Sequence, residues 1–140
     1  MHYFDTCVLV ALYLPEPMNA KVQRLYAESK TVAISGLSEV EFHSAIARRV
    51  RMKELSKDDA RKVLAQFRAH ADGSLYRMIA VEQSDYVVAR DWIAQMVTPL
   101  RVLDAIHLAV ASSNSLTLVT ADEVLATSAK HFGVKHKLIR

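Results

Sequence analysis

The run Val102-Leu103-Asp104-Ala105-Ile106-His107-Leu108-Ala109-Val110-Ala111 constrains the fold of this chain more than any other stretch. Its residues favour a helix, and that helix is apolar on nearly every side. Such a helix belongs in the interior of a domain, covered by other layers. One carboxylate, Asp104, sits in its first turns. A carboxylate taken out of water without a partner is costly, so it is neutralised, paired or placed on a metal. Asp104 either caps its helix, with no chemistry attached, or faces a cation.

The segments that would cover this helix alternate in type. His2 to Asp5 reads as a strand, and Cys7 to Tyr13 as a short buried helix capped by Thr6 and stopped by Pro15-Glu16-Pro17. Asn19 to Lys30 is helical, with Val22, Leu25 and Tyr26 at helical spacing. Thr31 to Ser35 is strand-like in its β-branched content. A long helix then runs from about Ser38 to Lys53, with Val40, Phe42, Ile46 and Val50 as its apolar positions. Ser56 caps the next helix, which carries Val63, Leu64 and Phe67 and ends near Asp72-Gly73.

Leu75 to Val81 reads as a strand, and Ser84 caps a helix from Asp85 to Met96 that Pro99 breaks. After the Asp104 helix, Leu116 to Thr120 is a strand. Asp122 opens a helix that Gly133 closes, and Val134 to Ile139 is the last strand. This alternation predicts an α/β domain with a mainly parallel central sheet and helices on both faces, a three-layer α/β/α sandwich. A length of 140 residues supports one such domain, residues 1–140, and is too short for two.

Composition removes several function classes. The single cysteine, Cys7, forms no internal disulfide and no cysteine-based zinc cage, which fits a reducing, cytoplasmic setting. With three glycines there is no Gly-rich phosphate loop. The chain opens without a basic leader, and no apolar run approaches the roughly 20 residues of a membrane span.

The acidic residues fall in an informative pattern. Asp5 lies at the end of the first strand, and Asp122 two residues past the strand ending at Thr120. In a parallel sheet both point to the carboxyl edge, where ligands of open α/β sheets bind. Asp104 and Glu41 lie in the first turns of helices that start at that same edge. Each has a plainer reading: Asp5 and Asp122 as caps, Glu41 as a solvated helix residue. If all four converge, they repel by about 4 kcal/mol per close pair at an effective dielectric near 20. A hard divalent cation with oxygen ligands, Mg²⁺ or Mn²⁺, would relieve that repulsion.

Four segments together resemble the PIN-domain ribonucleases, most closely the VapC-type toxins of bacterial toxin–antitoxin pairs. They are Tyr3-Phe4-Asp5-Thr6, Ser38-Glu39-Val40-Glu41-Phe42-His43-Ser44-Ala45, Leu103-Asp104-Ala105-Ile106-His107-Leu108-Ala109 and Leu118-Val119-Thr120-Ala121-Asp122. The resemblance implies a PIN-like sandwich and a metal-dependent endoribonuclease that hydrolyses RNA to 5′-phosphate and 3′-hydroxyl ends. Asp5, Glu41, Asp104 and Asp122 match the family's acidic quartet as catalytic and metal-binding residues, with Glu39 the competing choice for the middle acid. Thr120 matches a supporting hydroxyl, and Thr6 adjoins Asp5. Glu123 and Thr127 are the nearby polar residues for a second metal site. The implied partners are an RNA substrate, a small antitoxin protein and a second copy in a homodimer, with no membrane.

With the four acids set aside, a net charge of +3 becomes +7 for the rest of the chain, a surface able to meet phosphates. Arg48, Arg49, Arg51 and Lys53 follow Glu41 along one helix and are candidates for the RNA path, or a solvated helix end. Tyr13, Tyr76 and Trp92 are candidates for stacking on bases. Val22, Leu25, Tyr26 and Phe42 are candidates for an exposed docking groove, against the commoner fate of burial.

His107 follows Asp104 by three residues; a lone Asp-x-x-His without a second such pair is a poor metal site. Two readings compete with the toxin: a non-catalytic PIN-like module that captures RNA or protein, and a housekeeping PIN nuclease. A haloacid-dehalogenase-type phosphatase is excluded by Asp5-Thr6-Cys7, which lacks its second Asp.

Overall fold

The computed structural model describes residues 1–140. Five strands form one sheet: β1 (His2–Phe4), β2 (Val32–Ser35), β3 (Arg77–Ile79), β4 (Thr117–Thr120) and β5 (His136–Leu138). Their order across the sheet is β3-β2-β1-β4-β5, and every neighbouring pair is parallel. Tyr3 of β1 pairs with Ala33 on one side and Leu118 on the other.

Seven helices connect and cover the strands: α1 (Thr6–Tyr13), α2 (Asn19–Glu28), α3 (Gly36–Arg51), α4 (Lys57–Asp72), α5 (Gln83–Ala94), α6 (Val102–Ser113) and α7 (Glu123–His131). The chain steps outward from β1 to β2 and β3, then returns past β1 to β4 and β5. With right-handed crossovers, reversing the direction of travel moves the helices to the opposite face.

The two cores show this division. Phe4, Val32, Ile34 and Val119 pack with Val8, Val22, Phe42 and Phe67 of the first four helices. Tyr3, Ala33 and Leu118 pack with Ala89, Leu108, Ala109 and Leu125 of the last three. Adjacent strand residues thus feed opposite layers, as the period of two requires. The expected α/β/α sandwich is present, and its sheet is parallel throughout.

Helix α6 is as buried as its composition predicts, with Ala105 to Ala111 all inside. Asp85 fixes α5 against it. That carboxylate is 1% exposed; it accepts the Glu82 N–H at 2.9 Å and the Ser113 hydroxyl at 2.7 Å, tying the start of α5 to the end of α6. The cap of α5 is therefore Glu82, not Ser84.

Other local expectations also shift. Helix α3 begins at Gly36 rather than Ser38, because Ser35 caps it and exchanges hydrogen bonds with Ser38. Its buried stripe is Ser38, Phe42 and Ile46, spaced by four, while Val40 is 69% exposed. Helix α1 is capped by Asp5, not Thr6. Val22, Leu25 and Phe42 are buried, so they form no docking groove. Tyr26 is half-buried and donates to the Leu75 carbonyl at 2.9 Å. No helix is long and apolar enough to cross a membrane.

Candidate metal centre

Strand order reverses between β1 and β4, and both strands end at the same edge of the sheet. Such a switch point leaves a crevice between the outgoing loops. Asp5 follows β1 directly, and Asp122 follows β4 by two residues. Both also cap helices, so the plainer reading of each is realised together with the convergence. Asp5 Oδ1 accepts the Val8 N–H at 3.0 Å. Asp122 Oδ1 accepts from Val124 and Leu125 at 2.8 and 3.2 Å.

Thr120 links these two acids. Its hydroxyl donates to Asp5 Oδ2 and accepts the Asp122 N–H at 3.0 Å. Asp5 is 6% exposed, and burial pushes its carboxyl up to about 6. The bonds from Thr120 and Val8 and the nearby His107 oppose that rise, whereas Asp104 adds to it.

Asp104 is different in kind. The residue at the cap position of α6 is Arg101, without a side-chain cap bond. Asp104 stands half-buried at the third helical position, and burial and neighbouring charges alone set its carboxyl above the ordinary range. After burial the largest push comes from Asp122, and Glu41 adds to it; Arg101 and His107 pull the other way. It is a half-buried carboxylate among like charges with no hydrogen bond to hold it.

Glu41 projects from the second turn of α3 toward the same place. Its Oε1 accepts the Thr6 hydroxyl at 3.0 Å and bonds His107 Nε2. Burial works to raise its carboxyl, but the His107 bond and charge and the Thr6 bond prevail, and the net shift is downward. Glu39, the competing acid, lies in the first turn of α3, and neither Thr6 nor His107 bonds it. His107 is not a spare ligand beside Asp104. It is 2% exposed, and its Nδ1 lies 2.6 Å from the Tyr3 hydroxyl.

Cys7 lies within the field of all four acids. Partial burial pushes its thiol up to about 11, and Asp5, Asp122, Asp104 and Glu41 all contribute to that shift. The donors gathered here are carboxylate oxygens, which suit a hard divalent ion. No three acidic, histidine or cysteine side chains form a ready-made chelate. Mg²⁺ needs only one or two protein carboxylates, keeping waters and taking substrate phosphates for the rest. The residues present therefore fit such an ion.

The PIN domain family profile matches residues 2–130. The chain belongs to the PIN domain family. Among solved structures, this PIN domain is similar to VapC20 of Mycobacterium tuberculosis, a sarcin-ricin loop cleaving toxin. That match has 17% identity and a TM-score of 0.75, over 91% of this chain and 95% of the other. It is also similar to VapBC2 from Rickettsia felis, bound to promoter DNA, at 19% identity and a TM-score of 0.69 over 100% of both chains. FitAcB from Neisseria gonorrhoeae matches at 19% identity and a TM-score of 0.69, over 97% of this chain and 96% of that one. At such identities the likeness is one of fold. Comparison with curated protein sequences gives no match.

Beside the quartet, the PIN domain has a groove of about 840 Å³ whose lining includes Thr6, Cys7, Glu41, Arg48, Arg49 and Arg51. The three arginines are not equivalent. Arg49 is paired with Glu16 and lies 3.5 Å from Glu54, whereas Arg48 and Arg51 carry no ion pair. Lys53 is outside the lining, past the end of α3 in a left-handed conformation with φ of 59°.

The residues considered for a second metal point elsewhere: Glu123 pairs with Arg140 at 3.3 Å, and Thr127 bonds the Glu123 carbonyl. Tyr76 is buried and bonded to Tyr13 at 2.5 Å, and Trp92 stacks on Phe132. These contacts tie the three rings into the packing of the domain.

Proposed function

We propose that this chain is a metal-dependent endoribonuclease and the toxin component of a toxin–antitoxin pair. At the family level it is a PIN-domain nuclease. The observation that carries the finer reading is Asp104: half-buried, without a hydrogen bond, and surrounded by Asp122, Glu41 and Asp5. Asp5, Asp104 and Asp122 would hold Mg²⁺ or Mn²⁺, with Glu41 beside them. Bound there, the ion supplies Lewis acidity to the phosphodiester and to water.

The protein's own groups set the geometry. Thr120 and the Val8 N–H fix both Asp5 oxygens. Thr6 and His107 hold Glu41, and its lowered pKa keeps it an acceptor at neutral pH. Cys7 stays protonated, so it is no nucleophile, and water fills that role. Arg48 and Arg51 lead away from the acids along the groove and would meet backbone phosphates.

RNA incubated with Mg²⁺ or Mn²⁺ should be cut to 5′-phosphate and 3′-hydroxyl ends. EDTA, Asp5→Asn or Asp104→Asn should abolish the cut; retained cleavage in both variants refutes the assignment. The fold neighbours bound to DNA, VapBC2 and FitAB, support an antitoxin as partner. We read the chain as a single cytoplasmic domain that forms a homodimer. Co-expression with the product of a short neighbouring reading frame should suppress cleavage and yield a stable complex.

A further inference from the structure

A chain of buried polar side chains runs from the sheet to the cleft. Ser35 and Tyr3 lie 2.9 Å apart through their hydroxyls, Tyr3 meets His107 Nδ1 at 2.6 Å, and His107 Nε2 meets Glu41. Ser35 and Tyr3 are fully buried, and His107 nearly so. Three elements far apart in sequence supply these groups: β1, the end of β2, and α6. Buried polar groups are kept only when satisfied, and this chain satisfies each of its members.

The direction of the bond to Glu41 follows from its acceptor. A carboxylate only accepts, so Nε2 carries the hydrogen and donates to Glu41. At the other end of the ring, Nδ1 and the Tyr3 hydroxyl share a hydrogen bond whichever of the two donates. The Ser35 hydroxyl braces the Tyr3 hydroxyl from its far side. Tyr3 thereby fixes the orientation of the His107 ring so that Nε2 faces Glu41, as an outer partner fixes a histidine elsewhere.

We infer that His107 is a positioning residue of the cleft: its Nε2–H, held in place by Tyr3, aims the Glu41 carboxylate into the cleft where Asp5, Asp104 and Asp122 would hold the ion. The inference rests on the metal-dependent reading above. It assigns a task to a residue outside the acidic quartet and gives that residue a partner 104 positions away.

The test measures Mn²⁺ affinity by calorimetry, with RNA cleavage beside it and circular dichroism to confirm folding. His107→Leu fills the space without a donor, and its Mn²⁺ affinity should fall about tenfold or more. His107→Gln, whose amide can donate near the Nε2 position, should recover most of it. In a Glu41→Gln background, His107→Leu should add little further loss. Tyr3→Phe removes one oxygen from a packed ring; it should weaken Mn²⁺ binding in the same direction and carries the test if the leucine variant fails to fold. A folded His107→Leu or Tyr3→Phe protein with parental Mn²⁺ affinity overturns this inference and leaves the nuclease reading standing. A parent protein that binds no Mn²⁺ overturns both.

Discussion

Thr120 donates its hydroxyl to Asp5 while accepting the backbone N–H of Asp122, so one side chain couples two acids of the cleft. The threonine is fully buried at the end of β4, where nothing else offers these groups a hydroxyl. Thr120→Val keeps the shape and removes both bonds. It should cost about 1–3 kcal/mol in denaturant unfolding, because a buried carboxylate and an N–H lose their partner. Thr120→Ser should restore most of that stability. RNA cleavage should follow the same order, since Asp5 loses one of its two anchors.

The raised pKa of Asp5 gives the metal-free protein a defined pH dependence. Its ordinary value is 3.8, and burial first, then Asp104, bring it to about 6 against the hydrogen bonds from Thr120 and Val8. The folded state therefore holds its proton more tightly than the unfolded state. That contribution is complete below about pH 4 and is lost as pH rises through 6. Relative to the parent in EDTA, Asp5→Asn should gain stability across this window, on the order of 3 kcal/mol at most. Saturating Mn²⁺ should reverse the ranking at pH 7.5, stabilising only the parent. Melting temperatures of both proteins at several pH values, with and without Mn²⁺, check the crossing.

Much of this site was legible before the fold was known, and the reason is positional. Asp5 and Asp122 sit where strands end, and parallel strands end at one edge. Asp104 stands out because the run from Val102 to Ala111 offers no other polar side chain except His107. The connections of His107 were not legible. Its spacing from Asp104 says nothing of Tyr3 or Glu41, which reach it only through the packing of α6 on β1 and α3.

Asp85 was hidden for a similar reason. As one charge among several near a helix start it reads as solvated, yet it is buried by Ser113 from the far end of the next helix. Glu82 and Asp85 at cap spacing were the available signal. The edge strands β3 and β5 are shorter than the sequence suggests, because they are largely exposed and lack the run of buried residues that marks β1 and β4.

Cys7 makes a probe of metal binding that does not depend on catalysis. Its side chain reaches the surface, yet partial burial and the four surrounding carboxylates push its thiol up to about 11. Only the thiolate attacks disulfide reagents. In EDTA at pH 8 its reaction with an aromatic disulfide should therefore be slow beside that of an unhindered thiol. Mn²⁺ cancels negative charge next to it and should speed the reaction several-fold. Asp104→Asn should speed the metal-free reaction and blunt the response to Mn²⁺. A rate indifferent to both changes would contradict the electrostatic picture of the cleft.

The arginines of α3 should separate into two functions. Arg49 is engaged by Glu16, in the segment after α1, and by Glu54 past the end of α3. These side chains are roughly a quarter to a half exposed, so solvent screens the pairs, and Arg49→Ala should cost no more than about 1 kcal/mol. Arg48 and Arg51 line the same groove without a carboxylate partner and remain available to phosphate. Each phosphate contact releases counterions, so log affinity for single-stranded RNA falls with log salt by about 0.7 per contact. Arg48→Ala and Arg51→Ala should each weaken RNA binding and flatten that slope by about this amount, with little change in melting temperature. Arg49→Ala should do the reverse, lowering the melting temperature and leaving the slope nearly unchanged. Binding measured with the cleavage-dead Asp104→Asn chain between 50 and 300 mM salt reads the slopes directly; equal slopes for all three alanine variants would place the RNA path off this helix.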